Sequence, residues 1–282
     1  MDGHWLEIDD DKEIRQGDII RRVGADGNNA AWGFVITADC DIAQKKAGDR
    51  FTYVEIVLAA QYLEAVWAPE QLRRLIERQS KAAAEHIGGV MRRSALSLDT
   101  IAPDVLLAWL TEQSVEQIMQ ALNKTGKPLE DRVTKAMYAL KAAIGSPGDA
   151  NLERFKAARR ALGDTPAKIG EAIRTAFEGE RGFPDFFLLP EMPNSSEIGF
   201  VIMLRAFASL KAADLYLDEV DARVDGRPDA FHRVGRLSDG LRFAVMQKLA
   251  FLFLRIGLAG SFEKACTSAT ELVVETLMAG EQ

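Results

Sequence analysis

A long tract of helix-forming residues, 61–180, separates two segments that read as β structure, and this division most constrains the fold. The tract is dense in Ala, Leu, Glu, Lys, Arg and Gln, which favour helix. In "PEQLRRLIERQSKAAAEHI", Leu72, Leu75 and Ile76 fall on one stripe with charges opposite, and Pro69 suits a first turn. "PDVLLAWLTEQSVEQIMQALN", "EDRVTKAMYALKAAI", "NLERFKAARRAL" and "TPAKIGEAIRTAF" follow with the same period. Gly145-Ser146-Pro147-Gly148 punctuates them, and Thr165-Pro166 reads as an N-cap with proline at the first helical position.

The first β segment, within 1–60, holds "GDIIRRV", "WGFVIT" and "FTYVEIVLA". Gly27-Asn28-Asn29 and a Gly-Asp pair supply turns between them, which implies an antiparallel meander. The second, in 181–282, opens with "FPDFFLLPEM" and "IGFVIMLRAFASL" around the turn-like "PNSSE". "DEVDARVDGRPDA" reads as an exposed loop or ragged strand. "RLSDGLRFAVMQKLAFLFLRIGL" reads as a helix apolar around most of its circumference, which is normally packed inside a protein. "SFEKACTSATELVVETLM" reads as a final amphipathic helix. Two- or three-stranded sheets are marginal alone. The expectation is therefore an α+β chain in which both β segments join. They would form one small, bent antiparallel β-barrel of about five strands, split by the helical insertion, with C-terminal helices packed on it. The corresponding parts are 1–60, 61–180 and 181–282.

The formal charge of −7 argues against a dedicated nucleic-acid binder, which carries net basic surface. The most apolar run contains Lys248 and Arg255 and is shorter than the ~20 apolar residues of a membrane span. The acidic first residues lack the pattern of a signal peptide. A cytoplasmic protein is expected, without a membrane partner. Two cysteines, Cys40 and Cys266, make no disulfide framework.

The sharpest motif is "VITADCDIA", residues 35–43. On an extended segment, Asp39 and Asp41 would project to one side and can together hold Mg²⁺. Zinc would need thiols or imidazoles, and His4, His86 and His232 show no paired spacing. A nucleophilic Cys40 would need His86 or His232 as base, while two flanking carboxylates disfavour its thiolate. A structural reading competes: Asp39 caps a turn, Cys40 points into the core, and Asp41 pairs with Arg236, Arg242 or Arg255. Arg255, on an apolar helix, needs a carboxylate such as Asp39 or Asp41. "RRLIERQSK" and "ERFKAARR" read as solvated helix faces. "HIGGVMRR" lacks the preceding strand of a phosphate loop.

Gly17-Asp18-Ile19 and Val35-Ile36-Thr37 resemble the opening of the MazF/PemK-type SH3-like barrel. That resemblance implies an SH3-like barrel and a ribonuclease, with Asp39 and Asp41 at the metal or water and Arg21 or Arg22 on phosphate. RNA-cutting members carry Arg-Pro where this chain has Ala31-Trp32-Gly33. A second resemblance covers more of the chain. Gly17-Asp18-Ile19 with Asp39-Cys40-Asp41-Ile42 near one end, and Arg236, Leu237, Arg242, Gln247, Phe253, Arg255, Ile256 and Gly257 near the other, are similar to bacterial "DCDI" proteins of defence and mobile-element gene neighbourhoods. It implies shared architecture. Where that group carries Pro-Tyr, this chain has Gly240-Leu241. The function expected is a non-enzymatic interaction or regulatory module of a bacterial defence or signalling system, binding a protein encoded by a neighbouring gene. The alternative is the MazF-like ribonuclease.

Overall fold

A computed structural model describes residues 4–6, 13–24, 31–93, 101–123, 129–178, 185–227, 229–254, 261, 264–265 and 267–272. The strands are β1 (Asp18–Arg22), β2 (Trp32–Val35), β3 (Arg50–Leu58), β4 (Phe186–Leu189), β5 (Phe200–Lys211), β6 (Leu215–Tyr216) and β7 (Phe231–Arg236). They form one sheet in the order β4-β5-β3-β2-β1-β7-β6. All pairs are antiparallel except β6 with β7. The two β segments do join, through the long pairing of β3 with β5 from Arg50↔Lys211 to Leu58↔Phe200.

The expected small SH3-like barrel is not formed: the sheet is open. Closing a barrel requires the first and last strands to meet with matched tilt and stagger. Here β4 and the two-residue β6 end opposite edges of the order. A strand inside "FHRVGR" also enters the sheet beside β1, which the sequence reading did not anticipate.

Alternation along the strands gives the sheet two apolar faces. Ile19, Trp32, Phe34, Val54, Ile56, Phe200 and Ile202 line one, covered by Val245 and Leu249 of α10 (Asp239–Phe253). Ile20, Val35, Leu210 and Phe231 line the other, with Phe51, Tyr53 and Leu215.

Between β3 and β4 the described residues hold α2 (Ala59–Tyr62), a π-helical turn (Leu63–Trp67), α3 (Ala68–Arg93), α4 (Pro103–Glu112), α5 (Val115–Asn123), α6 (Asp131–Ile144), α7 (Asn151–Ala161) and α8 (Pro166–Glu178). The 26-residue α3 is the spine. Ala83, Ala84 and Ile87 pack with Leu106, Leu110, Ile118, Met137 and Leu140. Leu72 and Leu75 pack with Ala139, Phe155 and Ile169. This body thus owns a core apart from the sheet. Tyr62, Phe177 and Phe186 join the two, with ring centroids 5.1–6.4 Å apart. The π turn is also fastened from the far side. Glu64 accepts from the Asn151 and Leu152 amides at 2.5 and 2.9 Å, so its carboxylate caps α7. Gly145 ends α6 at φ +60°. Arg154 packs against it and donates to the Ala143 carbonyl at 2.5 and 3.1 Å.

Candidate functional site

Asp39-Cys40-Asp41 is not the end of a strand. β2 stops at Val35, and Asp39–Ala43 forms one short helix, α1, with both acids in its first turn. Carboxylates there favour the unpaired amides of the helix start. Residues i and i+2 of a helix lie on different faces, so Asp39 and Asp41 do not share a side as an extended segment would allow. Among the described residues no group of three or more His, Cys, Asp or Glu side chains could hold a metal ion. The Mg²⁺ reading of Asp39 and Asp41 loses its geometric basis.

Asp39 is occupied twice. Its Oδ1 accepts from the Gln16 amide at 2.7 Å, and its Oδ2 accepts from Arg242 Nη1 at 2.8 Å. Arg242, at the start of α10, is also 3.0 Å from Asp239 and donates to the Gln16 carbonyl at 3.3 Å. Asp39, not Asp41, therefore takes the arginine. Cys40 is exposed rather than in the core, and its Sγ lies 3.7 Å from Asp41 Oδ1. His86 stands on α3 at 3.9 Å from Glu130, and His232 is buried in β7. Each belongs to another neighbourhood. Arg255 lies outside the described residues, and its expected pairing with Asp39 or Asp41 therefore does too.

The second arginine of the motif, Arg236, takes an acid that the sequence reading passed over. Asp18 is fully buried, and Arg236 donates Nε–H to its Oδ1 at 2.5 Å and Nη2–H to its Oδ2 at 3.1 Å. The Arg15 amide donates to the same carboxylate at 2.8 Å. Arg233 and Arg236 both donate to the Glu13 carbonyl, at 2.9 and 3.0 Å. Burial pushes the Asp18 carboxyl above its ordinary range, against the pull of Arg236, the Arg15 amide and Arg233. The signal was present in the sequence: an acid directly before "IIRR" has the parity of Ile20, an inward position.

Two ion pairs thus pin distant segments, β1 to β7 through Asp18–Arg236 and α1 to α10 through Asp39–Arg242, each across more than 200 residues. Arg236–Asp18 is buried; Asp39 in the other pair is 46% exposed. The arrangement is a clasp between chain segments.

Arg21 and Arg22 do not form one basic patch. Successive strand residues face opposite sides. Arg21 lies over the Trp32 ring at 4.9 Å, and Arg22 pairs across β7 with Phe231. Beside Arg21, His232 is buried, and Glu219 and Arg223 of α9 (Glu219–Asp225) act on it. Burial holds its pKa below the ordinary value; Glu219 opposes this. A depressed folded-state pKa means the unfolded chain binds the proton first. Stability should therefore fall as pH drops from the ordinary histidine range toward the folded value. His232→Phe is expected to flatten that slope in urea titrations run across mildly acidic pH. An unchanged slope would remove His232 as its source.

Compared with protein-family models, curated proteins and solved structures, the chain gives no match.

Proposed function

We propose that the chain is a non-enzymatic interaction or regulatory module of a bacterial defence or signalling system, with the helical body as its partner surface. The sheet is the scaffold, and its acid–arginine clasp is spent on holding distant segments together. The observation that carries this reading is a groove on the helical body. It is an open depression of about 440 Å³ between α3, α4 and α7. Leu72, Ile76 and Leu107 floor it, and Arg73, Glu77 and Arg154 stand at its margin. An apolar floor with a charged rim is the usual anatomy of a protein-recognition site. The resemblance through Asp39-Cys40-Asp41-Ile42 and the α10 residues supplies the bacterial defence or signalling setting, and a neighbouring gene supplies the partner.

The test is co-expression with the proteins encoded beside this gene. One of them should co-purify, and Glu77→Arg, at the exposed margin of the groove, should weaken it by about tenfold or more while the far-ultraviolet circular dichroism stays that of the wild type. Absence of any neighbour-encoded partner overturns the reading. So does cleavage of single-stranded RNA with Mg²⁺ or Mn²⁺ that Asp39→Asn abolishes.

A further inference from the structure

The chain passes from the sheet to the groove through a single turn. β3 runs directly into α2: Leu58 pairs with Phe200, and the Ala59 amide donates to the Gly199 carbonyl at 2.9 Å. Tyr62, the last residue of α2, sets its ring 5.1 Å from that of Phe186 on β4. The next five residues, Leu63–Trp67, form the π turn, and α3 follows at once. A π turn inside a helical run is rare and recurs at functional sites. This one directs two side chains onto α7. Glu64 holds the Asn151 and Leu152 amides, and the Trp67 ring meets that of Phe155 edge-on at 4.8 Å. Ala65 and Val66, between them, are exposed.

The same contacts shape the groove. Asn151 and Arg154 are its α7 wall, and Pro69 and Leu72, just past the π turn, line its α3 side. The α7 wall is tied to Glu64. Asn151 Nδ2 donates to the Glu64 carbonyl at 3.3 Å, and Asn151 Oδ1 accepts from Arg154 Nη1 at 3.1 Å. Phe186, Tyr62, Glu64, Asn151 and Arg154 thus make a continuous path from sheet to groove. Its strongest link is the Glu64 carboxylate on two amides, since hydrogen bonds to an ionised acceptor are roughly twice as strong as neutral ones.

We propose that the π turn couples the sheet to the groove, with Glu64 as the positioning residue: the seating of Tyr62 on Phe186 sets where the α7 wall stands. Coupling of this kind is carried by packed side chains and hydrogen bonds, and a double-mutant cycle is what demonstrates it. Its use, control of partner binding from the sheet, rests on the groove being the partner's seat. The coupling itself is a property of the free chain.

Thiol labelling of the full chain tests it. Ser80 lines the groove and is 3% exposed, so a cysteine there reacts only when the groove opens. In a Cys40→Ser, Cys266→Ser, Ser80→Cys background, Phe186→Leu should raise the labelling rate about threefold or more. With Glu64→Ala also present, Phe186→Leu should leave the rate unaltered, because the link to α7 is already cut. Glu64→Gln offers one carbonyl oxygen to two amides, so the Phe186→Leu factor should shrink there too; it replaces the alanine variant if circular dichroism shows that one unfolded. Equal factors with and without the Glu64 carboxylate overturn the proposal and leave Glu64 a helix cap. So does a rate that Phe186→Leu does not move. No partner enters this measurement, so its outcome is separate from co-purification at the groove.

Discussion

Replacing Arg236 by alanine is expected to lower the unfolding free energy by about 3–5 kcal/mol, because it strands a buried carboxylate. Asp18 is wholly inaccessible to solvent, and Arg236 supplies two of the hydrogen bonds to its oxygens. The Arg15 amide would remain, but one neutral donor does not balance a buried anion. Guanidinium loss also removes one of the two donors to the Glu13 carbonyl, leaving Arg233, so the segment before β1 should loosen in hydrogen exchange. Urea unfolding of wild type and variant measures the main effect. A loss well under 1 kcal/mol would mean water reaches Asp18 when the arginine is absent.

The double replacement Asp18→Leu with Arg236→Met should behave differently. Burial raises the Asp18 pKa despite its partners. A raised folded-state pKa means the folded protein holds the proton more tightly than the unfolded chain. That group's contribution to stability is therefore full below the ordinary carboxyl range and declines as pH rises toward the folded value. The charged pair is costly to bury at neutral pH, and an apolar pair of similar volume is expected to be neutral or stabilising. The pair's role is then specificity: it selects which strand lies beside β1.

That choice of neighbour is what local patterns could not convey. Strands β1, β2 and β3 were legible because "DIIRR", "WGFV" and "FTYVEIVL" combine β-branched and aromatic residues with turn formers between them. The helical tract was legible from its 3.6-residue period. β7 was not. "FHRVGR" carries a histidine and two arginines, and five of its six residues are buried; polar side chains mask the inward positions that pairing with Asp18 and the Glu13 carbonyl makes tenable. Missing β7 removed one strand from beside β1 and made closure into a barrel look natural. At the motif, "VITAD" reads as a strand running into acids, whereas the chain leaves β2 at Val35 and starts a helix at Asp39. Side-chain chemistry suggested that an acid there meets an arginine of the C-terminal segment. Which acid and which arginine depend on how the chain crosses itself, and the answer is Asp39 with Arg242. α10 was legible as a helix apolar on all sides. That its outer stripe lies exposed needed coordinates.

Gly17→Ala is expected to be the second most damaging of these changes, although it adds one methyl group. Gly17 has φ +93°, a conformation that costs an L-residue about 1–3 kcal/mol. The added Cβ would also stand 2.5 Å from Arg242 Cδ and 2.8 Å from its Cγ. Arg242 must then retreat, and its hold on Asp39 and on the Gln16 carbonyl goes with it. Loss of that partly exposed pair alone is worth about 0–1 kcal/mol, so Arg242→Ala by itself should be mild. The two routes separate in a double-mutant cycle. In an Arg242→Ala background the two closest contacts are gone and the Cβ of residue 242 stands 3.4 Å away, near van der Waals contact, so Gly17→Ala should then cost little beyond its backbone strain. The double variant should therefore be more stable than the sum of the single losses implies. Strict additivity would show that the close approach of Arg242 contributes nothing. The glycine before Asp18 would then be required by the turn, not by the clasp.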